Sequence, residues 1–151
     1  MEIEKLEHVA INVKNLDEAV KLFSDILGTT FTDVSDVEVE KTVTEHAPPF
    51  EKVQQPGKGG NERVAIDRRG FLALVESAPP MEKEGLRSIH FKVPDIEQAK
   101  AEMKQKGIRL TADVKVGSMK EAIFSTADAH GVRLILNEYE APTLVDAFLE
   151  K

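Results

Sequence analysis

Two stretches decide the fold of this chain: His8-Val9-Ala10-Ile11-Asn12-Val13 and Ser88-Ile89-His90-Phe91-Lys92-Val93. In each, apolar and β-branched residues alternate with polar or small ones, which is typical of a half-buried strand. At the same spacing, each is followed by a helix-start pattern, Leu16-Asp17-Glu18-Ala19 or Ile96-Glu97-Gln98-Ala99. The strand block and the helix block are separated by the same number of residues in the two halves, so the halves align without a gap. Self-similarity of this kind indicates an internal repeat.

The remaining patterns extend the repeat to nearly the whole chain. The closing stretches Leu72-Ala73-Leu74-Val75-Glu76 and Leu134-Ile135-Leu136-Asn137-Glu138 also match. The predicted elements of the first half are strand 6–13, helix 16–27, a β-prone stretch 31–43, a loop 44–61, and strands 64–67 and 71–76. Those of the second half are strand 86–93, helix 95–106, and strands 108–114, 121–126 and 132–137.

This order predicts an α+β fold in which paired βαβββ modules form a cup-shaped, partly open β-barrel with helices outside. We expect a single domain over 1–151, with module 1 at about 4–77, a linker at about 78–84 and module 2 at about 85–138. A C-terminal tail, 139–151, carries a short apolar stripe that we expect to dock on its own barrel or on a partner subunit.

Composition excludes several classes of function. The 151 residues carry a formal net charge of -7 and 5% aromatic residues, with no run of Lys or Arg. These features argue against nucleic acid and against an anionic membrane as partner. The absence of Cys removes disulfides, thiol nucleophiles and Cys-zinc sites. We expect a cytoplasmic protein, because no signal peptide or membrane span is recognisable.

Strand alternation identifies the side chains that face the cup. Val9, Ile11 and Val13 form one apolar face suited to packing beneath a helix, so their neighbours face the other way. The predicted pocket is mostly apolar with a few placed polar groups, as in a small-molecule site. Its residues are His8, Ala10, Asn12, Phe71, Ala73, Val75, Ser88, His90, Arg133, Ile135 and Asn137.

These residues resemble the vicinal-oxygen-chelate superfamily, which includes glyoxalase I, bleomycin-resistance proteins, extradiol dioxygenases and methylmalonyl-CoA epimerase. The resemblance covers nearly the whole chain apart from the 44–61 loop and the tail after Tyr139, and Leu6–Ala19 and Gly85–Ala99 resemble the starts of the two modules. Val116–Phe124 and Gly131–Leu134 look most like the epimerase branch. The resemblance implies the paired-module fold and, by family habit, a homodimer. It does not fix the reaction, because one fold hosts several chemistries.

In that family, each module supplies two ligands to a divalent metal. Carried over by position, the ligand sites fall on His8, Ala73, Ser88 and Ile135. Ala and Ile do not ligate metals, and Ser is a poor ligand for zinc or iron. A relocated site would use His8 and His90 with a carboxylate, either Glu76 or Glu138, if a β-bulge turned that side chain inward. We therefore expect no cofactor, or a weakly bound divalent metal.

Two functions remain open on the sequence. The first is binding of a small organic molecule in the cup with a degraded metal site, as in bleomycin-resistance proteins; the acidic charge would suit a cationic compound. The alternative is an isomerase, epimerase or lyase, metal-dependent or metal-free, that acts beside a carbonyl. There His8 or His90 would be the base, Arg133 would balance the anion, and Glu45 is a further catalytic candidate by resemblance.

Overall fold

The two predicted modules lie side by side in one continuous sheet. The computed structural model describes residues 1–52, 62–77 and 83–150. Within them, nine strands run in the order β2-β4-β5-β1-β6-β9-β8-β7-β3. They are β1 (Lys5–Asn12), β2 (Phe31–Asp33), β3 (Val39–Val43), β4 (Glu62–Asp67), β5 (Leu72–Ser77), β6 (Gly85–Lys92), β7 (Leu110–Val116), β8 (Met119–Phe124) and β9 (Leu134–Glu138). The helices are α1 (Leu16–Leu27), α2 (Pro49–Lys52), α3 (Ile96–Gln105) and α4 (Leu144–Leu149).

The strand pairing confirms the repeat. In each module the first strand pairs in parallel with the last, β1 with β5 and β6 with β9. The same backbone bond closes both pairs, Val13 N–H to the Val75 carbonyl and Val93 N–H to the Asn137 carbonyl, each at 2.9 Å. The modules meet where β1 and β6 pair antiparallel. The paired-module, cup-shaped α+β fold expected from the sequence is therefore correct.

Helices α1 and α3 begin in equivalent ways on the outer face. Asn15 caps α1 and Asp95 caps α3, each side chain accepting from a backbone N–H three residues on. A second carboxylate supports each helix start: Glu76 accepts from Leu16 N–H at 2.6 Å, and Glu138 from Ile96 N–H at 3.0 Å. An anion at a helix N-terminus is stabilising. Both glutamates are thereby directed to the helix side of the sheet.

Each helix covers its own half of the sheet. Leu16 of α1 packs with Val13 and Leu74 in one buried cluster, and α3 packs against Val93 and Leu136 in another. Full burial of an aliphatic side chain of this size contributes about 1.5–3 kcal/mol. These two outer cores leave the inner face of the sheet free to form the cup.

The β-prone stretch 31–43 departs from the prediction of a continuous β segment. It divides into β2, which pairs with β4 of its own module, and β3, which pairs with β7 of the other module. The break follows Asp33, whose carboxylate accepts from the Ser35 N–H at 2.9 Å in a tight turn. The chain then crosses to the opposite edge of the sheet, so both modules contribute to the wall of the cup.

The predicted loop 44–61 contains the one-turn helix α2. Residues 53–61 and the predicted linker residues 78–82 lie outside the described residues. The tail docks on its own barrel through α4, where Leu144 and Ala147 are buried and the Ser118 N–H donates to the Ala147 carbonyl at 3.0 Å. Among the described residues, no helix has the length and apolarity needed to cross a bilayer.

Gly117 is required where α4 meets the β7–β8 turn. Its φ is +58°, and an added Cβ would lie 2.6 Å from the Phe148 carbonyl oxygen and 2.7 Å from that of Glu150. Gly117→Ala should therefore unfold at lower urea, with a loss of about 2–4 kcal/mol from strain and displaced packing. Gly107→Ala is the matched control, because its φ is +78° but nothing lies within 4 Å of the added Cβ. Equal losses in the free energy of unfolding of the two variants would show that α4 shifts to accommodate the added Cβ at no cost.

Candidate functional site

The inner face of the sheet encloses a cavity of about 160 Å³. This is below the range of about 300–1000 Å³ usual for drug-sized ligands, and close to a cavity of about 150 Å³ that accepts benzene. One part of its wall is aliphatic, with residues of β3, β4, β7 and α4. The apolar lining is Ala10, Val37, Val39, Val64, Ile66, Ala73, Val75, Val114, Val116, Met119, Ile123, Ile135, Leu144 and Phe148. The polar lining is His8, Ser35, Lys41, Glu62, Arg87, Ser88, His90, Glu121, Arg133 and Asn137.

Two bulges at equivalent positions shape the junction of the modules. The β1–β6 register shifts between Leu6 and His8 and again between Ala10 and Ile11, where Arg87 is the skipped residue on β6. A bulge leaves one residue unpaired and re-aims its side chain. Glu7, the skipped residue on β1, is 4% exposed, and the Arg87 side chain is 8% exposed. Both charges are thus turned into the protein although simple alternation assigns them to the other face.

Glu7 is held beside His8. The Tyr139 hydroxyl donates to one Glu7 oxygen at 2.7 Å, and the other oxygen lies 3.9 Å from His8 Nδ1. Burial alone would raise the pKa of Glu7, but the contacts with His8, Tyr139 and Lys5 outweigh it and lower the pKa. The 3.9 Å separation is an ion-pair distance and is too long for a hydrogen bond. A carboxylate here favours a proton on His8 Nδ1 and leaves Nε2 as the basic nitrogen.

His8 and His90 stack on each other across the junction. Their ring centroids are 3.9 Å apart, and their planes differ by 24°. Burial, and after it the electrostatic effect of the neighbouring His8 ring, lower the pKa of His90 well below 6.5. Two imidazolium rings at this distance would repel each other in a medium of low dielectric. His90 is therefore neutral at pH 7.

Both ring nitrogens of His90 are engaged. Nε2 lies 2.8 Å from Ser88 Oγ, and Nδ1 lies 2.9 Å from Asn137 Oδ1. The Asn137 amide donates to Glu121 at 3.0 Å and to the Met119 sulfur at 3.2 Å. Burial raises the pKa of Glu121, against the opposing hydrogen bond from Asn137. The result is a satisfied polar network in the floor of the cup.

Among the described residues, three cations line the cup, each beside a carboxylate. Arg133 forms a short ion pair with Glu51 of α2, and Lys41 Nζ lies 4.0 Å from the same carboxyl group. Arg87 bonds Glu62 at 2.9 Å and the Asn12 side chain at 2.8 Å. Burial lowers the pKa of Lys41, although the charge of Glu51 opposes this shift. Arg133 also lines a second cavity of about 100 Å³, so the Arg133–Glu51 pair stands between the two cavities.

Comparison with known proteins places this cup in a family. Residues 5–136 match the model of the Glyoxalase/Bleomycin resistance protein/Dioxygenase superfamily. The chain belongs to this superfamily. No curated protein matches the sequence.

Similar solved structures share the fold. A Streptomyces coelicolor methylmalonyl-CoA epimerase variant, in complex with 2-nitronate-propionyl-CoA, has a TM-score of 0.66 at 20% identity, covering 93% of this chain and 100% of that one. The Mycobacterium tuberculosis methylmalonyl-CoA epimerase has a TM-score of 0.63 at 20% identity, covering 96% and 93%. A hypothetical protein from Bacillus halodurans has a TM-score of 0.61 at 18% identity, covering 92% and 96%.

The superfamily's metal positions do not fit a metal in this chain. Of the four expected positions, only His8 carries a ligand side chain, because Ala73, Ser88 and Ile135 occupy the others. Nor do three His, Asp or Glu side chains converge on one point anywhere in 1–52, 62–77 and 83–150. His90 directs both nitrogens into hydrogen bonds. The donor set at the floor of the cup therefore suits hydrogen bonding better than coordination.

Most predicted site residues line the cup, and the exceptions have local causes. Asn12 is 1% exposed and accepts a hydrogen bond from Arg87, but it is not among the residues that line the cavity. Phe71 is 51% exposed and contacts Arg69, because it precedes β5 in the turn. The Glu45 side chain is 85% exposed on the loop after β3 and lies away from the cup.

Glu76 and Glu138 face the helices, since neither lies at a bulge. The residues found in the lining as expected are His8, Ala10, Ala73, Val75, Ser88, His90, Arg133, Ile135 and Asn137.

Sequence reasoning missed several polar residues of the site. Glu7 and Arg87 depend on bulges, and Lys41 and Glu51 reach the site only through the crossover to β3. Glu121 faces inward on β8, and its position could have been read from alternation with Ile123, which also lines the cup. The repeat offered one more signal, because Glu7 and Arg87 occupy equivalent places in the two halves.

His90 should make stability depend on pH. An unfolded His takes up a proton below about pH 6.5, whereas folded His90 stays neutral to much lower pH. The unfolded state then binds more protons, so the free energy of unfolding falls as the pH falls below about 6.5. The expected slope is up to about 1.4 kcal/mol per pH unit.

His90→Gln should remove this contribution to the slope, measured by urea unfolding at several values between pH 5 and 7. The comparison uses slopes, so a uniform loss of stability in the variant does not affect it. His130→Gln, in an exposed turn, is the control. An unchanged slope in His90→Gln would mean that His90 takes up its proton at the same pH in the folded protein as in the unfolded chain.

Proposed function

We propose that this chain binds a small organic molecule in the cup and does so without the metal site of its superfamily. The observation that supports this most directly is the cavity itself, whose wall is apolar at α4 and β7 and polar at the β1–β6 junction. Sparse polar groups in a mostly apolar pocket orient a ligand that apolar contacts retain.

The lining favours a neutral or anionic ligand over a cationic one. Lys41, Arg87 and Arg133 bring three positive charges, while Glu62 and Glu121 are the carboxylates of the lining. Burial raises the pKa of Glu121, which reduces its negative charge. The lining thus has more basic than acidic side chains among the described residues, although the whole chain has a net charge of -7. Ligand recognition is governed by the local charge.

A carbonyl compound with a short aliphatic part matches both the size and the polarity of the cavity. The structural neighbours are epimerases whose complexes contain acyl-CoA compounds. A cavity of about 160 Å³ has room for an acyl group but not for a whole CoA. Short-chain acids, esters and ketones are therefore the first compounds to screen.

Ligand binding should raise the melting temperature of the protein. At 100 times Kd a ligand contributes about 2.7 kcal/mol, and about 2–4 °C follows from each kcal/mol in a chain of this size. Val114→Phe should abolish the shift, because Val114 lines the cup and the larger ring fills it. Val43→Phe is the matched control, since Val43 is 38% exposed and lies outside the lining. Equal shifts in both variants would place the ligand elsewhere.

One observation favours a second function, metal-free proton transfer beside a carbonyl. Glu7 is fixed by Tyr139 and lies 3.9 Å from Nδ1 of His8, a residue of the cavity lining, which would leave Nε2 of His8 as the base. A carboxylate that orients a histidine is a recurring arrangement in acid–base catalysis. The cations of the lining would stabilise the enolate.

Proton transfer should be visible as deuterium exchange at the carbon beside the carbonyl of a bound ketone, followed by NMR in D2O. His8→Asn should slow the exchange about 10²–10⁴-fold, whereas His130→Asn should leave it unchanged. Exchange should persist in excess EDTA, because His8 and not a metal supplies the base. Loss of exchange with EDTA would restore the metal-dependent alternative.

A further inference from the structure

Ser88 occupies a position that the binding function does not explain. It is 2% exposed, and its Oγ lies 2.8 Å from Nε2 of His90. Both residues are on β6 two positions apart, so their side chains share the cup face. Ser88 also stands at a position where the superfamily resemblance expects a metal ligand. The cavity is therefore in direct contact with a serine hydroxyl that is paired with an imidazole.

The orientation of His90 follows from its other partners. Asn137 donates its amide N–H groups to Glu121 and Met119, so its oxygen is the atom that faces His90. An amide oxygen only accepts, and the proton of neutral His90 therefore lies on Nδ1. Nε2 then carries the lone pair and accepts from the Ser88 hydroxyl. The direction of the two hydrogen bonds, from Ser88 to His90 and from His90 to Asn137, is thereby fixed.

We propose that Ser88 is a nucleophile, that His90 is its general base and that Asn137 is the positioning residue, which together make the cup a site for hydrolysis of esters of small carboxylic acids. The inference rests on the proposed function, since the ester must first enter the cup. Nucleophile, base and orienting group in a hydrogen-bonded row are the geometric mark of such sites, whatever the fold.

The reaction balances with water as the second reactant. Ser88 Oγ attacks the ester carbonyl carbon and forms a C–O bond, while its proton passes to Nε2 of His90. The bond to the alcohol oxygen then breaks, and His90 returns the proton to the leaving alcohol. Water attacks the acyl carbon with His90 again taking the proton. The bond to Ser88 breaks and Oγ regains its proton, which releases the carboxylic acid.

The surroundings support each role. Nε2 of His90 accepts from the Ser88 hydroxyl at 2.8 Å, so the ring is placed to take the proton of the nucleophile. Asn137 Oδ1 accepts from Nδ1 at 2.9 Å and holds the ring of His90 in this orientation during both proton transfers. Lys41, Arg87 and Arg133 line the same cavity and are candidates for the donors that an oxyanion needs. The cavity size restricts the acyl group to a few carbons.

The test uses p-nitrophenyl acetate and a small dialkyl fluorophosphate with the full chain. The fluorophosphate should form one adduct, located on Ser88 by peptide mass spectrometry, with release of fluoride. The ester should release p-nitrophenolate, with hydrolysis abolished in Ser88→Ala and slowed about 10²–10⁴-fold in His90→Gln. Ser125→Ala is the matched control, because Ser125 is 9% exposed but lies outside the cup.

Asn137→Asp tests positioning separately from packing. An anionic acceptor on Nδ1 would raise the pKa of His90, so the acid limb of the pH–rate profile should move to higher pH. A lower rate with an unmoved profile would give Asn137 a structural role only and would overturn its part of the proposal.

A failure of the Ser88 assignment can be distinguished from a failure of the proposed binding function. If a ketone analogue of the ester raises the melting temperature of the wild type but not of Val114→Phe, and no Ser88 adduct or ester hydrolysis is found, the nucleophile is wrong and the binding function stands. If neither binding nor reaction occurs, both proposals fall. An adduct that persists in Ser88→Ala also overturns the assignment, because the label is then on another residue.

Discussion

The antiparallel pairing of β1 with β6 is the constraint on which the rest of the structure depends. It joins the two modules, and it sets His8 opposite His90. The bulges at Glu7 and Arg87 lie in this same pair and have equivalent places in the repeat. Because a bulge re-aims its side chain, the junction directs two buried charges inward and forms the polar end of the cup. A register without these bulges would return Glu7 and Arg87 to the outer face.

The chemistry of the cup floor follows from the cost of burial. A buried polar group without a partner costs about 1–3 kcal/mol, and more if charged. Where the superfamily has metal ligands, this chain has Ala73, Ser88 and Ile135. Ser88, His90, Asn137 and Glu121 instead satisfy one another through hydrogen bonds. The network keeps the floor polar and ordered, and it fixes the tautomer of His90 by the same set of contacts.

The walls of the cup come from segments that are distant in sequence. Strand β3 leaves module 1 and pairs with β7 of module 2, bringing Val39 and Lys41 to the cavity. Helix α4 returns from the C-terminal tail and adds Leu144 and Phe148. Gly117 permits this approach, because a side chain there would meet the carbonyls of α4. The size of the cavity therefore depends on long-range docking more than on the two modules alone.

The sequence by itself determined the paired-module fold and the faces of the central strands. It also showed which residues stand at the positions where the family resemblance expects metal ligands, three of which carry no usual ligand side chain. These are local properties, since periodicity and residue type can be read along one strand at a time. Asn12 and Phe71 were assigned to the site by the same local reasoning, and Glu45 by the family resemblance; all three lie outside the cavity lining. Only the tertiary structure decided the inward turn of Glu7 and Arg87, the crossover that delivers Lys41 and Glu51, and the Ser88–His90–Asn137 row. Bulges, strand partners between modules and hydrogen bonds between strands arise from contacts far apart in sequence, and alternation along a single strand carries no information about them.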